Sequence, residues 1–199
     1  MRRLIFIHGA TASSRSFAYL KKTLKPKDAI FLDYDRETSA DQNLENMYNK
    51  LEKEDGEFFY IAHSLGGIYA VYLQDVFKVA SVGAVSLATP FNGSEIATWG
   101  RLIMPHYQLF MDITPTSNFI SQSREINIHI PWTQVVTTVG DVPWVYGAND
   151  GIVTRRSMIC RNDVDYIKVE RNHYEVLQSR QVVDLIKTQT QTQEKNNDV

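Results

Sequence analysis

The chain has 199 residues, of which 43% are hydrophobic and 22% charged, and carries a formal net charge of −2 at pH 7. These values fit one globular domain with a sizeable core. The charge balance gives no electrostatic ground for a nucleic-acid or acidic-membrane partner, and a single cysteine, Cys160, excludes an internal disulfide.

Met1-Arg2-Arg3 before Leu4-Ile5-Phe6-Ile7 has the look of a signal peptide, but His8-Gly9 interrupts the apolar run too early. A first buried strand is the better reading. No segment approaches the roughly 20 apolar residues that span a bilayer. A reducing, cytoplasmic setting is therefore the expectation.

Strand-like and helix-like segments alternate along the first part of the chain, which argues for a parallel sheet with crossover helices. Leu4 to Ile7 reads as the first strand. A helix from Ser14 to Leu24 follows, with Phe17, Leu20 and Leu24 on one face and Pro26 beyond its end. Ala29 to Leu32 is the second strand, and Asp41 to Leu51 a polar helix with Leu44, Met47, Tyr48 and Leu51 as its apolar stripe. Phe58 to Ala62 is the third strand, Gly67 to Phe77 the next helix, and Val79 to Leu87 a nearly continuous apolar strand suited to the centre of a sheet.

The alternation then stops. From Phe91 to Pro131 there is no clear strand, yet the segment is too apolar for disorder. Short helices lying over a site, a small helical lid, are expected there. Gln134 to Val139 is the next strand, Asp165 to Val169 the last, and Val176 to Ile186 the last helix. One domain over residues 1–188 is expected, with the insertion at about 91–131. The Gln-, Thr- and Asn-rich tail 189–199 is expected to be disordered.

The chemistry is concentrated at Ala62-His63-Ser64-Leu65-Gly66-Gly67. A serine at the hinge from strand to helix, with small residues two before and two after it, is a nucleophile elbow. Such a serine needs an oxyanion hole, a general base and an orienting acid. Two backbone N–H groups must point at the oxyanion of an acyl-transfer intermediate. Leu65, directly after the serine, supplies one. The loop His8-Gly9-Ala10-Thr11 supplies the other through Ala10.

A general base must come from the five histidines. His8 lies in the oxyanion loop, His63 beside the serine, and His106 and His129 in the insertion. His173 sits between the last strand and the last helix, on the sheet edge where open α/β sheets place their sites. An acid that orients the histidine completes the set. Asp150, in Asn149-Asp150-Gly151-Ile152-Val153, gives the chain order Ser, Asp, His and has Ile152 and Val153 to anchor its loop. Asp141 is the competitor, and Asp163 and Asp165 are weaker candidates near the start of the last strand.

These residues together resemble a small α/β-hydrolase of the lipase and esterase type. Ile7-His8-Gly9-Ala10 resembles the oxyanion loop of that family, and Ala62 to Gly67 the elbow of small bacterial lipases. Ala88-Thr89-Pro90-Phe91-Asn92-Gly93-Ser94 is similar to the T-P-x-x-G-S segment, Asn149 to Val153 to the acid loop, and Asn172 to Leu177 to the histidine loop with its helix. The resemblance departs from the pattern at Ala62 and at Asn172, where glycine is common. It implies an α/β-hydrolase fold with about six mostly parallel strands, helices on both faces and no opening antiparallel strands.

The expected activity is hydrolysis of a carboxylic ester through an acyl-enzyme. Ser64 is the nucleophile, His173 the base and Asp150 its orienting acid. No metal or organic cofactor is implied. Trp99, Tyr107, Phe110, Phe119 and Trp132 argue for a small-molecule ester with an apolar acyl or alcohol group, or a bulky hydrophobic substrate. Phe17 and Ser16, after the oxyanion loop, and Phe91 are further candidates for the pocket wall. A thioesterase, amidase or acyltransferase would use the same triad, and a non-catalytic binding protein could keep the same shell. Oligomeric state has no signature in this sequence.

Overall fold

The computed structural model describes residues 2–94, 108–140 and 147–197. Six strands form one sheet: β1 (Arg2–Ile7), β2 (Ala29–Leu32), β3 (Glu57–His63), β4 (Ser81–Leu87), β5 (Trp132–Thr137) and β6 (Asp165–Val169). Their order across the sheet is β2-β1-β3-β4-β5-β6, and every pairing is parallel. All strand ends that lead into the candidate loops therefore lie along one edge.

Side chains alternate between the two faces, as the pleat requires. Ile5, Ile7, Phe58, Tyr60 and Ala62 enter one core. Phe6, Phe59, Ile61, Val85 and Leu87 enter the other. The first core is covered by α2 (Ala40–Leu51) and α3 (Leu65–Val76), the second by α1 (Ala18–Leu24) and the long C-terminal helix. β3 is buried on both faces, which explains its unbroken apolar run.

The helix expected from Ser14 begins as a 3-10 turn, Ser14–Phe17, and becomes α1 only at Ala18. In the segment after Pro90, the described residues contain two short helices, α4 (Gln108–Asp112) and α5 (Asn118–Glu125). They are part of the main core. Phe119 lies 4.8 Å from Tyr72 and 5.4 Å from Tyr69, both on α3. A four-residue helix, α6 (Arg155–Met158), lies between β5 and β6.

The C-terminus departs from expectation. Helix α7 runs from Arg180 to Asn197, through the tail that composition marks as disordered. Local composition misses two tethers: the Arg2 guanidinium donates to the Thr190 carbonyl, and the Gln189 amide reaches the Thr133 hydroxyl. Thr190 also returns its hydroxyl to the Ile186 carbonyl at 2.8 Å. No helix among the described residues is long and apolar enough to cross a membrane.

Candidate active site

Ser64 joins β3 to α3 with φ 52° and ψ −125°, a conformation that non-glycine residues adopt at a cost of about 1–3 kcal/mol. The surroundings hold it there. Its N–H donates to the Leu87 carbonyl at 2.8 Å, and its carbonyl accepts from Gly67 N–H at 3.0 Å. The glycines that follow are needed for close approach. A Cβ on Gly66 would sit 2.1 Å from the Ile7 carbonyl oxygen, and one on Gly67 would sit 1.9 Å from Thr89 Oγ1. The start of α3 is thus wedged between the ends of β1 and β4.

Asp150 is brought to His173. Their side chains are 1% and 3% exposed as residues, and His173 Nδ1 lies 2.8 Å from Asp150 Oδ2. The backbones are joined too, His173 N–H donating to the Asp150 carbonyl at 3.1 Å. Asp150 Oδ1 accepts from Ile152 N–H at 3.0 Å and Val153 N–H at 2.7 Å. Its Oδ2 also receives the Thr137 hydroxyl. Val153 packs with Ala88, Val136 and Met158, so the acid loop is anchored in a small core of its own. Burial pushes the Asp150 carboxyl up, but the His173, Thr137 and Val153 donors outweigh it and hold the group below the ordinary carboxylate value. It is therefore ionised at neutral pH.

The other acid candidates go elsewhere. Asp163 pairs with Arg161 at 2.6 Å, and Asp165 opens β6. Asp141 lies outside the described residues. Among the histidines, His129 is half-exposed beside Asp75, and His106 is outside the described residues. Asn172, where the family pattern favours glycine, has its own local function. Its Oδ1 accepts from Tyr174 N–H at 3.0 Å and Glu175 N–H at 2.8 Å, capping the 3-10 turn Glu175–Gln178 that follows His173.

His63 is buried beside Ser64 and is joined to the histidine loop. Its Nε2 lies 2.8 Å from the His173 carbonyl, which can only accept, so Nε2 carries the proton. Nδ1 is then a buried acceptor with no partner among the described residues. Burial, with the neighbouring His173 adding to it, pushes this imidazole down to about 3.

A cavity of about 210 Å³ opens between these elements. Ser64, His173, Ala10 and Leu65 all line it, so four of the five groups that carry the expected chemistry share one space, with Asp150 behind His173. Leu65 is the first residue of α3, and its N–H is one of those a helix leaves without an internal partner.

Only part of the expected pocket wall lines this cavity. Phe110 lines the cavity. Phe17 does not. It is 1% exposed in the opposite core, with its ring 5.2 Å from Phe6, because the 3-10 turn directs it under the sheet. Phe91 is also a core residue, edge-on to Trp132 at 6.3 Å and beneath the Arg161 guanidinium at 5.7 Å. Ser16 turns its hydroxyl back to the Ser13 carbonyl at 2.8 Å. Trp99 and Tyr107 lie outside the described residues. The wall includes instead Pro90, Ser94, Ile113, Ile152, Val153 and Tyr174. Of these, Pro90 and Ser94 belong to the T-P-x-x-G-S segment and Ile152, Val153 and Tyr174 adjoin Asp150 and His173, whereas Ile113 had no signal of its own in the sequence.

No protein-family model and no curated protein sequence matches this chain. Solved structures do. The mature form of a Bacillus licheniformis lipase aligns over 94% of this chain and 90% of its own, with TM-score 0.71 and 14% identity. A metagenomic carboxyl esterase aligns over 98% of this chain and 76% of its own, with TM-score 0.77 and 12% identity. An alpha/beta superfamily hydrolase from Oenococcus oeni covers 98% and 93%, with TM-score 0.66 and 13% identity. Parallel strand order, helices on both faces and these likenesses agree: the chain has an α/β-hydrolase fold.

Proposed function

We propose that the protein is a serine hydrolase that cleaves carboxylic esters through an acyl-enzyme. One observation carries this reading. A strained Ser64 opens onto the same cavity as His173, and His173 is bound at 2.8 Å to a buried, ionised Asp150.

The chemistry follows from the arrangement. Ser64 Oγ attacks the ester carbonyl while its proton passes to His173 Nε2. Asp150 holds the imidazole with Nδ1–H toward itself, leaving Nε2 free to accept, and stabilises the imidazolium. The N–H groups of Ala10 and Leu65 receive the oxyanion. His173 then protonates the leaving alkoxide, and the alcohol departs. Water attacks the acyl-enzyme with His173 as base, which restores Ser64 and releases the acid.

The apolar wall of Leu65, Pro90, Phe110, Ile113 and Val153 supports an ester with an apolar acyl or alcohol group. Phe110 and Ile113 come from the connection after Pro90, which supports a part for that segment in choosing the substrate. The lipase and esterase among the similar structures are in keeping with this reading.

Two measurements test it together. A fluorophosphonate should label the wild type and not Ser64→Ala, and the wild type should hydrolyse short p-nitrophenyl esters. Absence of both labelling and hydrolysis in folded wild type refutes the proposal. A thioester and an anilide with the same acyl group, run alongside, identify the preferred leaving group.

A further inference from the structure

The loop that carries Ala10 is held by a residue that the reaction steps do not touch. His8 is 2% exposed. Its Nδ1 lies 2.8 Å from the Gly9 carbonyl oxygen, and its Nε2 lies 3.3 Å from the Tyr34 backbone nitrogen. The carbonyl can only accept and the Tyr34 N–H can only donate. The ring is therefore the neutral tautomer with its proton on Nδ1. Burial lowers its pKa against the opposing pull of the Gly9 carbonyl and Asp33. Asp33 Oδ1 is 3.3 Å from Nε2, and also accepts the Ser14 N–H at 2.6 Å.

Tyr34 grips the same residue in two further ways. Its hydroxyl donates to the His8 carbonyl at 2.9 Å. Its ring stacks on the imidazole with centroids 4.2 Å apart and planes 10° from parallel. The far edge of Tyr34 is closed by Tyr69 of α3, at 4.9 Å. Both ring nitrogens, one ring face and the carbonyl of His8 are thus engaged.

The peptide plane passes this restraint on. The Gly9 carbonyl and the Ala10 N–H belong to one trans peptide, so they point in opposite directions. The Gly9 oxygen receives two donors, His8 Nδ1–H and, at 3.1 Å, Ala12 N–H. Anchoring that oxygen fixes the direction of the Ala10 N–H at the other end of the plane. An oxyanion donor is effective only if it is aimed before charge develops, because turning a peptide during the reaction adds to the barrier.

We propose that His8, clamped by Tyr34, is a positioning residue whose Nδ1–H sets the aim of the Ala10 N–H at the oxyanion. The inference rests on the ester-hydrolase reading of Ser64. It gives His8 and Tyr34 a function in kcat rather than in substrate binding.

The test compares wild type, His8→Phe, His8→Asn and Tyr34→Phe on p-nitrophenyl butyrate, with a trifluoromethyl ketone as a tetrahedral-adduct inhibitor. Phenylalanine keeps the stack and removes the donor; asparagine restores an N–H near the position of Nδ1. For His8→Phe, kcat should fall about 10- to 100-fold, and affinity for the ketone should fall in parallel, because a misaimed donor loses much of an oxyanion contact. KM should stay within about threefold, since the contact is made only in the transition state. His8→Asn should recover most of the loss. A folded His8→Phe with wild-type kcat, or a His8→Asn no better than His8→Phe, overturns the proposal. If His8→Phe does not fold, Tyr34→Phe decides: lower kcat at unchanged KM supports the clamp, and wild-type kcat refutes it. Failure of the ester reading would show earlier and separately, as wild type that neither turns over esters nor takes the fluorophosphonate.

Discussion

Replacing Asp150 by asparagine separates an acid that orients His173 from one that only shapes its loop. The carboxylate is met by four donors: Ile152 N–H and Val153 N–H on Oδ1, and the Thr137 hydroxyl and His173 Nδ1–H on Oδ2. A carboxamide keeps one acceptor oxygen. The two backbone N–H groups cannot turn away, so that oxygen stays on their side. The new NH₂ then faces Thr137 and His173. The threonine hydroxyl can rotate to accept. The imidazole can accept only by moving its proton from Nδ1 to Nε2, and an Nε2–H cannot take the proton of Ser64. A base held in the wrong tautomer costs about 10³- to 10⁴-fold in kcat. At about 1.4 kcal/mol per decade that is roughly 4–5.5 kcal/mol of barrier. The cavity wall is untouched, so KM should move little. Steady-state kinetics on p-nitrophenyl butyrate at neutral pH, with a thermal melt to establish folding, measure both. Asp141→Asn serves as the control and should turn over like wild type. A folded Asp150→Asn within about tenfold of wild-type kcat would sink the assignment, because the tautomer argument leaves no room for so small an effect.

The pH dependence of stability carries a second expectation. His63 is pushed from 6.5 down to about 3 by burial, so the unfolded chain binds the extra proton across that window and the folded one does not. Its contribution is complete above the unfolded value and is lost as pH falls toward the folded one, at up to about 1.4 kcal/mol per pH unit. Urea midpoints should therefore drop more steeply through mild acid for wild type than for His63→Gln; equal slopes would contradict the burial argument. Gly66→Ala should destabilise by more than about 3 kcal/mol, since its Cβ meets the fixed Ile7 carbonyl rather than a flexible side chain. A near-wild-type melting temperature would show that the elbow can relax. Ile113→Ala enlarges the cavity wall and should raise kcat/KM for octanoyl relative to butyryl esters, by about fourfold for each methylene newly buried. An unchanged ratio would place the acyl chain elsewhere.

The elbow was legible because its residue pattern is local: a serine between an apolar strand and a helix, with two glycines shortly after it. The conformation itself is held by the ends of β1 and β4. The parallel sheet was legible for a similar reason: β1, β3 and β4 declare themselves by composition, and the helices between them by period. The acid loop also carried its own anchor in Ile152 and Val153. Aromatic residues near the site were less informative. Phe17 and Phe91 lie close in sequence to the oxyanion loop and the post-β4 turn, yet both point into cores, because side-chain direction depends on turn geometry and on what packs opposite. Composition also misjudged the tail, where helix α7 is tied to Arg2 and Thr133 from distant strands.

The sequence by itself determined the fold class, the elbow, and the order in which serine, acid and histidine follow one another, since each depends on neighbours within a few residues. Tertiary structure alone decided what those groups touch. It brought Asp150 rather than Asp163 or Asp165 to His173, set the His63 N–H on the His173 carbonyl, and placed Tyr34 over His8. Each of these contacts joins separate elements of the chain. Their geometry is fixed by sheet order and close packing, which local patterns do not encode.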